Sequence, residues 1–598
     1  MKLNNINGNY RVIVVGAGHA GCEAAMACAE MRLQTLLVTL NVDFIAKMSC
    51  NPAIGGIAKG QLVREIDAMG GVMGIITDLA GLQFKMLNRS RGPAVWSPRA
   101  QCDKVLYSLL MSKLLQTKKM LNILQSEVKR ILVKNNITYG IQLITGEVIH
   151  SEVVIVTTGT FLNGIIYLGE SYFNGGRFNE KSSTLLSRSL LDDCGLHLDR
   201  FKTTTPPRVN SYSINYSKLN SQLGDTDPTP FSHHTNVLSW RKNLKQLPCW
   251  LTYTNEKTHK LIKDNIHLSS INIGKVSSKS PRYCPAIEEK IERYPDKESH
   301  RIFIEPEGYT SNEMYLNGLY TGFPFYLQKQ IVNSIVGLEQ ASIIRYGYAI
   351  EYDYVNPIQL DSTLEARTTK GLFLGGQING TTGYEEAAAQ GFMAGVNAGL
   401  SILGKDKIIL SRSKAYIGVL IDDITHKGMN EPYRMFTSRA EFRLSIRSDN
   451  ADLRLMDIGH SINLISDKMY KKFQKYKTTL KQLYINDKFY IKKNYVVRPW
   501  SLNKVQEELN IYKKYEGYIK IQENTIKKLQ KNEQKKIPEY FNYNEINSLS
   551  SESKQILNKI KPKTLGEASR LKSITASDVA IINIYIEKFQ REKIIKKQ

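Results

Sequence analysis

Residues 11–25 read Arg-Val-Ile-Val-Val-Gly-Ala-Gly-His-Ala-Gly-Cys-Glu-Ala-Ala, a short apolar strand running into G-x-G-x-x-G and then into a helix of small residues. This segment constrains the fold more than any other. Gly16 makes a tight turn, Gly18 lets a pyrophosphate approach the backbone, and Gly21 lets helix and strand pack closely. Ala17, His19 and Ala20 fill the turn between them. Phosphates then rest on a helix N-terminus, where unpaired N–H groups and the dipole favour anions. The bare motif is weak. The strand before it and the alanine-rich helix after it make it a dinucleotide-binding unit in an α/β layer architecture.

The second strand, Leu36-Leu37-Val38-Thr39-Leu40, ends on Asn41. An acidic residue here would bind a ribose, as NAD-binding folds require. Asn41 still offers hydrogen bonds to a ribose, less strongly. Two later segments favour a flavin dinucleotide. Val153-Val154-Ile155-Val156 is a buried strand ending in the small-residue turn Thr157-Thr158-Gly159-Thr160, and Leu372-Phe373-Leu374 returns late in the chain. After it come Gly375-Gly376-Gln377, a second Gly-rich turn through Gly383, and the helix around Glu385-Glu386-Ala387. A helix N-terminus aimed at a flavin stabilises the anion formed on reduction.

The 598 residues give several domains, and no apolar run approaches the ~18–20 residues of a membrane helix. The start carries neither a signal h-region nor a basic transit segment, so an unprocessed cytoplasmic protein is expected. Seven cysteines with no C-x-x-C pair argue against a disulfide scaffold or a structural zinc. Net charge is +25. That suits a nucleic-acid partner, but Lys-, Asn- and Ile-rich composition of AT-rich origin gives the same number, so charge alone decides nothing. From about Thr203 to Arg345 the pattern is Pro-, Ser- and Asn-rich and reads as an insertion. After about Ser411 glycines thin out and the chain reads as helical. Tyr515, Tyr518, Ile519, Ile526 and Leu529 fall at helical spacing. Thr564-x-x-Glu567 has capping-box form, Thr575-x-x-Asp578 opens the apolar run Val579 to Phe589 with Asp near the helix N-terminus, and these read as two short helices of a terminal module.

Long, unusual strings carry a resemblance. They are Met48-Ser49-Cys50-Asn51-Pro52-Ala53-Ile54-Gly55-Gly56, Thr254-Asn255-Glu256-Lys257-Thr258-His259, Pro281-Arg282-Tyr283-Cys284-Pro285, Gly376 to Gly391, and Glu431-Pro432-Tyr433-Arg434-Met435-Phe436-Thr437-Ser438-Arg439-Ala440-Glu441. Over nearly its whole length the sequence resembles the MnmG (GidA) family of FAD-dependent tRNA uridine 5-carboxymethylaminomethyl modification enzymes. The resemblance implies a two-dinucleotide-binding, Rossmann-like flavoprotein with an inserted α/β domain and an all-helical C-terminal domain. The expected parts are 1–205 and 345–405 for FAD, 206–344 for NADH, and 406–598 for partner and tRNA, with a terminal module from about 545. It implies that NADH reduces FAD. A one-carbon unit from methylenetetrahydrofolate then reaches carbon-5 of the wobble uridine, with glycine or ammonium as amine. It also implies a homodimer working with the GTPase MnmE, in a heterotetramer.

By the same resemblance FAD contacts include Val128, Ser183 and Gln377 besides the first turn, and NADH contacts fall on Ser280, Pro281, Arg282, Tyr283 and Pro285 within the stretch from Ser280 to Tyr294. The chain departs from the family at Ser277-Ser278-Lys279-Ser280 and at Thr204, where glycines are usual; Ser and Thr lack glycine's conformational freedom. Carbon-5 of uracil is a poor nucleophile until a thiolate adds at carbon-6, and a thiolate needs cationic or dipolar neighbours. Cys50 and Cys284 match the family's cysteines and divide the nucleophile and proton-transfer roles, in an order the sequence leaves open. The other five cysteines read as buried hydrophobes. Arg434, Arg439 and Arg443, with Arg447, suit phosphate contact and base stacking, or equally ion pairs that tie the helical half down. Three other readings remain: a folate- and FAD-dependent tRNA methyltransferase, which lacks the helical half; a plain NAD(P)H–flavin oxidoreductase; and an RNA-binding protein with decayed chemistry.

Overall fold

The computed structural model describes residues 10–271, 285–485, 502–533, 535–539, 541–571 and 574–595. Cys284, Ser280, Pro281, Arg282 and Tyr283 lie outside them, as does the Ser277–Ser280 departure.

A five-stranded parallel sheet forms the centre. Its order is Leu372–Leu374, Val153–Val156, Val12–Val15, Thr35–Thr39 and Leu121–Gln125. The central strands are apolar on both faces because both faces are covered. The helix His19–Glu30 packs on the helix Tyr384–Ile402. Small residues permit this: a Cβ on Gly391 would lie 2.0 Å from the Ala20 carbonyl oxygen, and one on Gly395 would lie 2.6 Å from that of Ala24. The late strand and its helix thus complete the layer that the first strand begins, across some 360 residues of intervening chain.

The stretch that reads as irregular in sequence folds into a six-stranded antiparallel sheet. Its order is Asn220–Gln222, Cys249–Tyr253, Arg301–Pro306, Glu313–Asn317, Arg208–Asn210 and Ile343–Arg345. It has its own apolar core, with Val209, Ile302, Ile304, Leu316, Phe323 and Ile331. A separate four-stranded antiparallel sheet, Ser171–Asn174, Ile165–Leu168, Ala349–Val355 and Leu198–Thr204, lies at the crossing between the two parts.

Beyond Ser411 the described residues contain helices and no strands. The apolar spacing at Tyr515 to Ile526 does belong to a helix, Leu502–Glu533, but Tyr518 is 65% exposed, so the spacing marks a surface face there. The reciprocal cap forms at the second of the two helix starts and not at the first, where the sequence has capping-box form. Thr575 and Asp578 bond reciprocally, Oγ1 accepting from Asp578 N at 3.1 Å and Oδ2 from Thr575 N at 2.9 Å. Thr564 accepts from Glu567 N, but Glu567 turns to Lys563 N instead. Of the two helices expected to be short, the first, Leu565–Ser569, is. The second runs from Ala576 to Ile595, because Ile582 and Ile586 keep its face buried in a local core. No helix among the described residues is long and apolar enough to cross a membrane.

Candidate active site

A cavity of about 850 Å³ opens at the carboxyl ends of the parallel strands, where doubly wound sheets bind ligands. Its walls include Gly16, Ala17, Gly18, His19, Ala20, Asn41, Val128, Ser183 and Gln377, so the described residues expected to contact FAD converge on it, apart from Gly21. Gly21 instead sits against the turn, where a Cβ would lie 1.8 Å from Gly16 O. Gly16 has φ +102°, and a Cβ there would meet Thr157 O at 2.6 Å. At Gly18 nothing lies within 4 Å of where a Cβ would be. The two outer glycines are therefore required by the protein itself, and the middle one keeps a ligand's approach clear. Gly18 is the N-cap of the first helix, and no side chain caps it, which leaves N–H donors for an anion. Asn41 borders the cavity while its Oδ1 accepts from Asp43 N at 2.8 Å.

The second helix also starts on this cavity, at Tyr384, with no side-chain cap at Gly383. Glu385 accepts from Gly55 N at 2.6 Å and Glu386 from Met435 N at 3.1 Å, while Lys59 pairs with both. Burial works against the charge on Lys59, but the two carboxylates outweigh it and hold the ammonium above its usual range. His19 is buried and stacks on Tyr384 at 4.4 Å. Burial, then the charge of Arg177, push it down to about 3, so its imidazole is neutral at physiological pH. Its Nε2 is a buried polar atom without a hydrogen-bond partner among the described residues, one a bound ligand would satisfy.

Cys50 lies on the cavity wall, half-buried. Its N–H donates to Tyr384 OH at 2.7 Å, and its Sγ is 3.5 Å from Tyr315 OH. Cys22, Cys28, Cys102, Cys194 and Cys249 are buried, and burial pushes every one of these thiols up, Cys28, Cys194 and Cys249 to about 12. Such groups do not ionise near neutrality. The cationic neighbour of Cys50 is Arg208. Its Nη2 donates to the Ser49 and Cys50 carbonyl oxygens, at 2.9 Å each, and Glu307 pairs with it. Arg208 follows Thr204 by four residues, but no sequence feature linked it to Cys50. Tyr315 and Tyr320 had no signal among 32 tyrosines, and Tyr384 fell within the Gly376–Gly391 string without being singled out. Thr204 lies in an extended strand paired with Ala349. Its φ is outside the left-handed region, so threonine in place of glycine brings no backbone strain there.

Pro285 is not on this cavity. It lines a separate one of about 640 Å³ with Lys290, Arg293, Lys297 and Arg301. Of the arginines, Arg434 borders the main cavity, Arg439 lies 4.3 Å over the Tyr433 ring, and Arg443 is exposed. Arg447 is buried and paired with Asp449 and Glu508.

Residues 11–406 match the family model described as glucose inhibited division protein A, and residues 525–598 match that of the tRNA modifying enzyme MnmG/GidA C-terminal helical bundle. A protein of Endomicrobium trichonymphae named tRNA uridine 5-carboxymethylaminomethyl modification enzyme MnmG is 64% identical over 588 residues, covering 98% of each chain. One of the same name from Caldicellulosiruptor saccharolyticus is 45% identical over 98% of this chain and 99% of its own. The structure of Aquifex aeolicus GidA in its form I crystal superposes with a TM-score of 0.88 at 44% identity, covering 97% of this chain and all of that one.

Proposed function

The chain belongs to the GidA (MnmG) family, and on that premise we propose that it is the tRNA-modifying enzyme its relatives are named for. It adds a carboxymethylaminomethyl or aminomethyl group to carbon-5 of the wobble uridine of certain tRNAs. The observation that carries this reading is one cavity walled both by the uncapped Gly18–His19 helix start and by the half-buried Cys50. A dinucleotide and a nucleophilic or proton-carrying thiol can act there on the same atom.

The residues fit FAD. The free space at Gly18 and the first helix N-terminus take the pyrophosphate, and Asn41, Val128, Ser183 and Gln377 line the remaining length. When bound, FAD supplies hydride acceptance from NADH and carriage of the one-carbon unit from methylenetetrahydrofolate. The chain's own residues do the rest. Arg208 holds the 49–50 backbone and places positive charge beside Cys50. Cys50 and Cys284 share nucleophilic attack at carbon-6 and proton transfer. Neutral His19 lets the site bind phosphate through backbone dipoles without an added charge.

In this reading 1–205 and 345–405 hold FAD, and 206–344 receives NADH. Residues 406–598 meet tRNA and the GTPase MnmE, in the cytoplasm, with the protein as a homodimer. Arg434 on the cavity wall and exposed Arg443 are the arginines this reading places against RNA. Nucleoside mass spectrometry of tRNA tests the reading, using a bacterial host that lacks its own enzyme and expresses this chain with its GTPase partner. Return of carboxymethylaminomethyl- or aminomethyl-uridine is expected. Soluble, FAD-loaded protein without it overturns the proposal, and 5-methyluridine in its place favours the methyltransferase.

A further inference from the structure

A line of hydroxyls leads away from Cys50. Tyr315 OH lies 3.5 Å from Cys50 Sγ and donates to Tyr320 OH at 3.3 Å, and Tyr320 OH donates to Asn317 Oδ1 at 3.0 Å. Tyr315 is fully buried in the strand Glu313–Asn317, reaching Cys50 from the six-stranded sheet. Tyr320 borders the cavity. With the Tyr315 proton committed to Tyr320, the oxygen lone pairs of Tyr315 face Cys50, so the resting thiol is the donor of that contact. Every donor in the chain then points away from the sulfur, toward a hydroxyl that reaches the cavity.

We infer that Tyr315 is a further catalytic residue of this site, relaying the proton between Cys50 and the cavity through Tyr320. The inference rests on the proposed use of Cys50. It holds whether Cys50 is nucleophile or proton carrier, because either role requires its proton to leave and return. In the forward step the Cys50 S–H bond breaks, its electron pair stays on sulfur, and its proton bonds to the Tyr315 oxygen. Tyr315 passes its own proton to the Tyr320 oxygen, and the Tyr320 proton leaves its hydrogen bond to Asn317 Oδ1 for cavity water. One proton has moved, with no oxidant or reductant. Tyr315 now carries the proton received from Cys50 and donates it to the thiolate as a charge-assisted hydrogen bond. Arg208 supports the same state, its guanidinium lying 5.0 Å over the Tyr315 ring and its Nη2 donating to Cys50 O. Burial keeps Tyr315 from ionising, raising it well above the usual tyrosine range, so it passes protons on as a neutral hydroxyl.

The test is the pH profile of Cys50 alkylation by iodoacetamide in the full-length protein, read by peptide mass spectrometry so that the other cysteines are counted separately. Tyr315→Phe keeps the ring and removes the hydroxyl. Its profile is expected to move up by about one pH unit, a tenfold loss of reactive thiolate at fixed pH, with FAD content unchanged. Tyr320→Phe cuts the chain at its exit and is expected to move the profile the same way by less; it also serves where Tyr315→Phe does not fold. Parent-like profiles in both variants overturn the relay. This readout needs no tRNA, so the relay and the tRNA reading fail separately.

Discussion

Arg208 and Cys50 are 158 positions apart in the chain, yet one guanidinium nitrogen of Arg208 holds the carbonyl oxygens of both Ser49 and Cys50 at 2.9 Å. The other side of the group is fixed by Pro206 O at 2.9 Å and by Glu307, which Lys104 also contacts. The inserted sheet therefore carries the clamp that fixes the backbone of a cysteine belonging to the nucleotide-binding part.

Arg208→Lys keeps the charge and loses the forked hold, since an ammonium has no planar fork. The variant is expected to fold, keep its FAD, and lose at least roughly tenfold in modification rate, the size of one displaced charge-assisted contact. Arg208→Ala is expected to fall further. It leaves Glu307 buried beside Lys104 alone, a change that costs about 3–5 kcal/mol when a buried pair is broken. Thermal unfolding with and without FAD separates the two.

The first turn makes a second contrast. Gly21→Ala puts a methyl 1.8 Å from the Gly16 carbonyl oxygen, so helix and strand must part. Gly18→Ala meets no protein atom within 4 Å. Both variants are expected to lose flavin, measured as bound FAD per chain. Only Gly21→Ala is expected to lower the unfolding temperature of the flavin-free protein, by several degrees or more. Equal destabilisation by the two would contradict the division between packing glycine and ligand glycine.

What the sequence made legible was local. The turn at Gly16–Gly21, the strands at Val12, Leu36, Val153 and Leu372, and the helix start at Thr575–Asp578 are each written within a few residues, and the fold uses them there. Pairings between distant segments left no trace. Arg208–Asn210 is sandwiched between Glu313–Asn317 and Ile343–Arg345, and three-residue strands carry too little alternation to show a period. For the same reason Cys50 was legible as a candidate from its string, while Tyr315 and Arg208, which touch it, were not. Arg447 was ambiguous in sequence because buried and RNA-facing arginines look alike there; its ion pair with Glu508 decides it.

Stability is expected to fall on both sides of a maximum. His19 drops from 6.5 to about 3 in the fold, through burial first and Arg177 second. The unfolded chain takes up a proton that the fold refuses, so stability is full above pH 6.5 and is lost toward pH 3. Glu23 moves the other way, from 4.5 to about 7, because burial outweighs its backbone bonds from Val72 and Met73. Its contribution is full below pH 4.5 and is lost as pH rises toward 7. The effects are on the order of 5 kcal/mol for His19 and 3 kcal/mol for Glu23. Unfolding temperature against pH is expected to flatten on the acid side in His19→Gln and on the upper side in Glu23→Gln.

The arginines near Phe436 give the last contrast. Arg447 is 1% exposed in its side chain and pairs with Asp449 at 2.9 Å and Glu508 at 2.8 Å. Removing it strands a carboxylate of the helix Leu502–Glu533 in the interior, so Arg447→Ala is expected to unfold the helical half at lower temperature by the 3–5 kcal/mol typical of a broken buried pair. Arg443 is exposed. Arg443→Ala is expected to leave unfolding unchanged, weaken tRNA binding across tRNAs alike, and reduce the slope of log affinity against log salt by about 1. A parent-like slope in Arg443→Ala would remove it from the RNA contact and leave Arg434, on the cavity rim, as the arginine to test next.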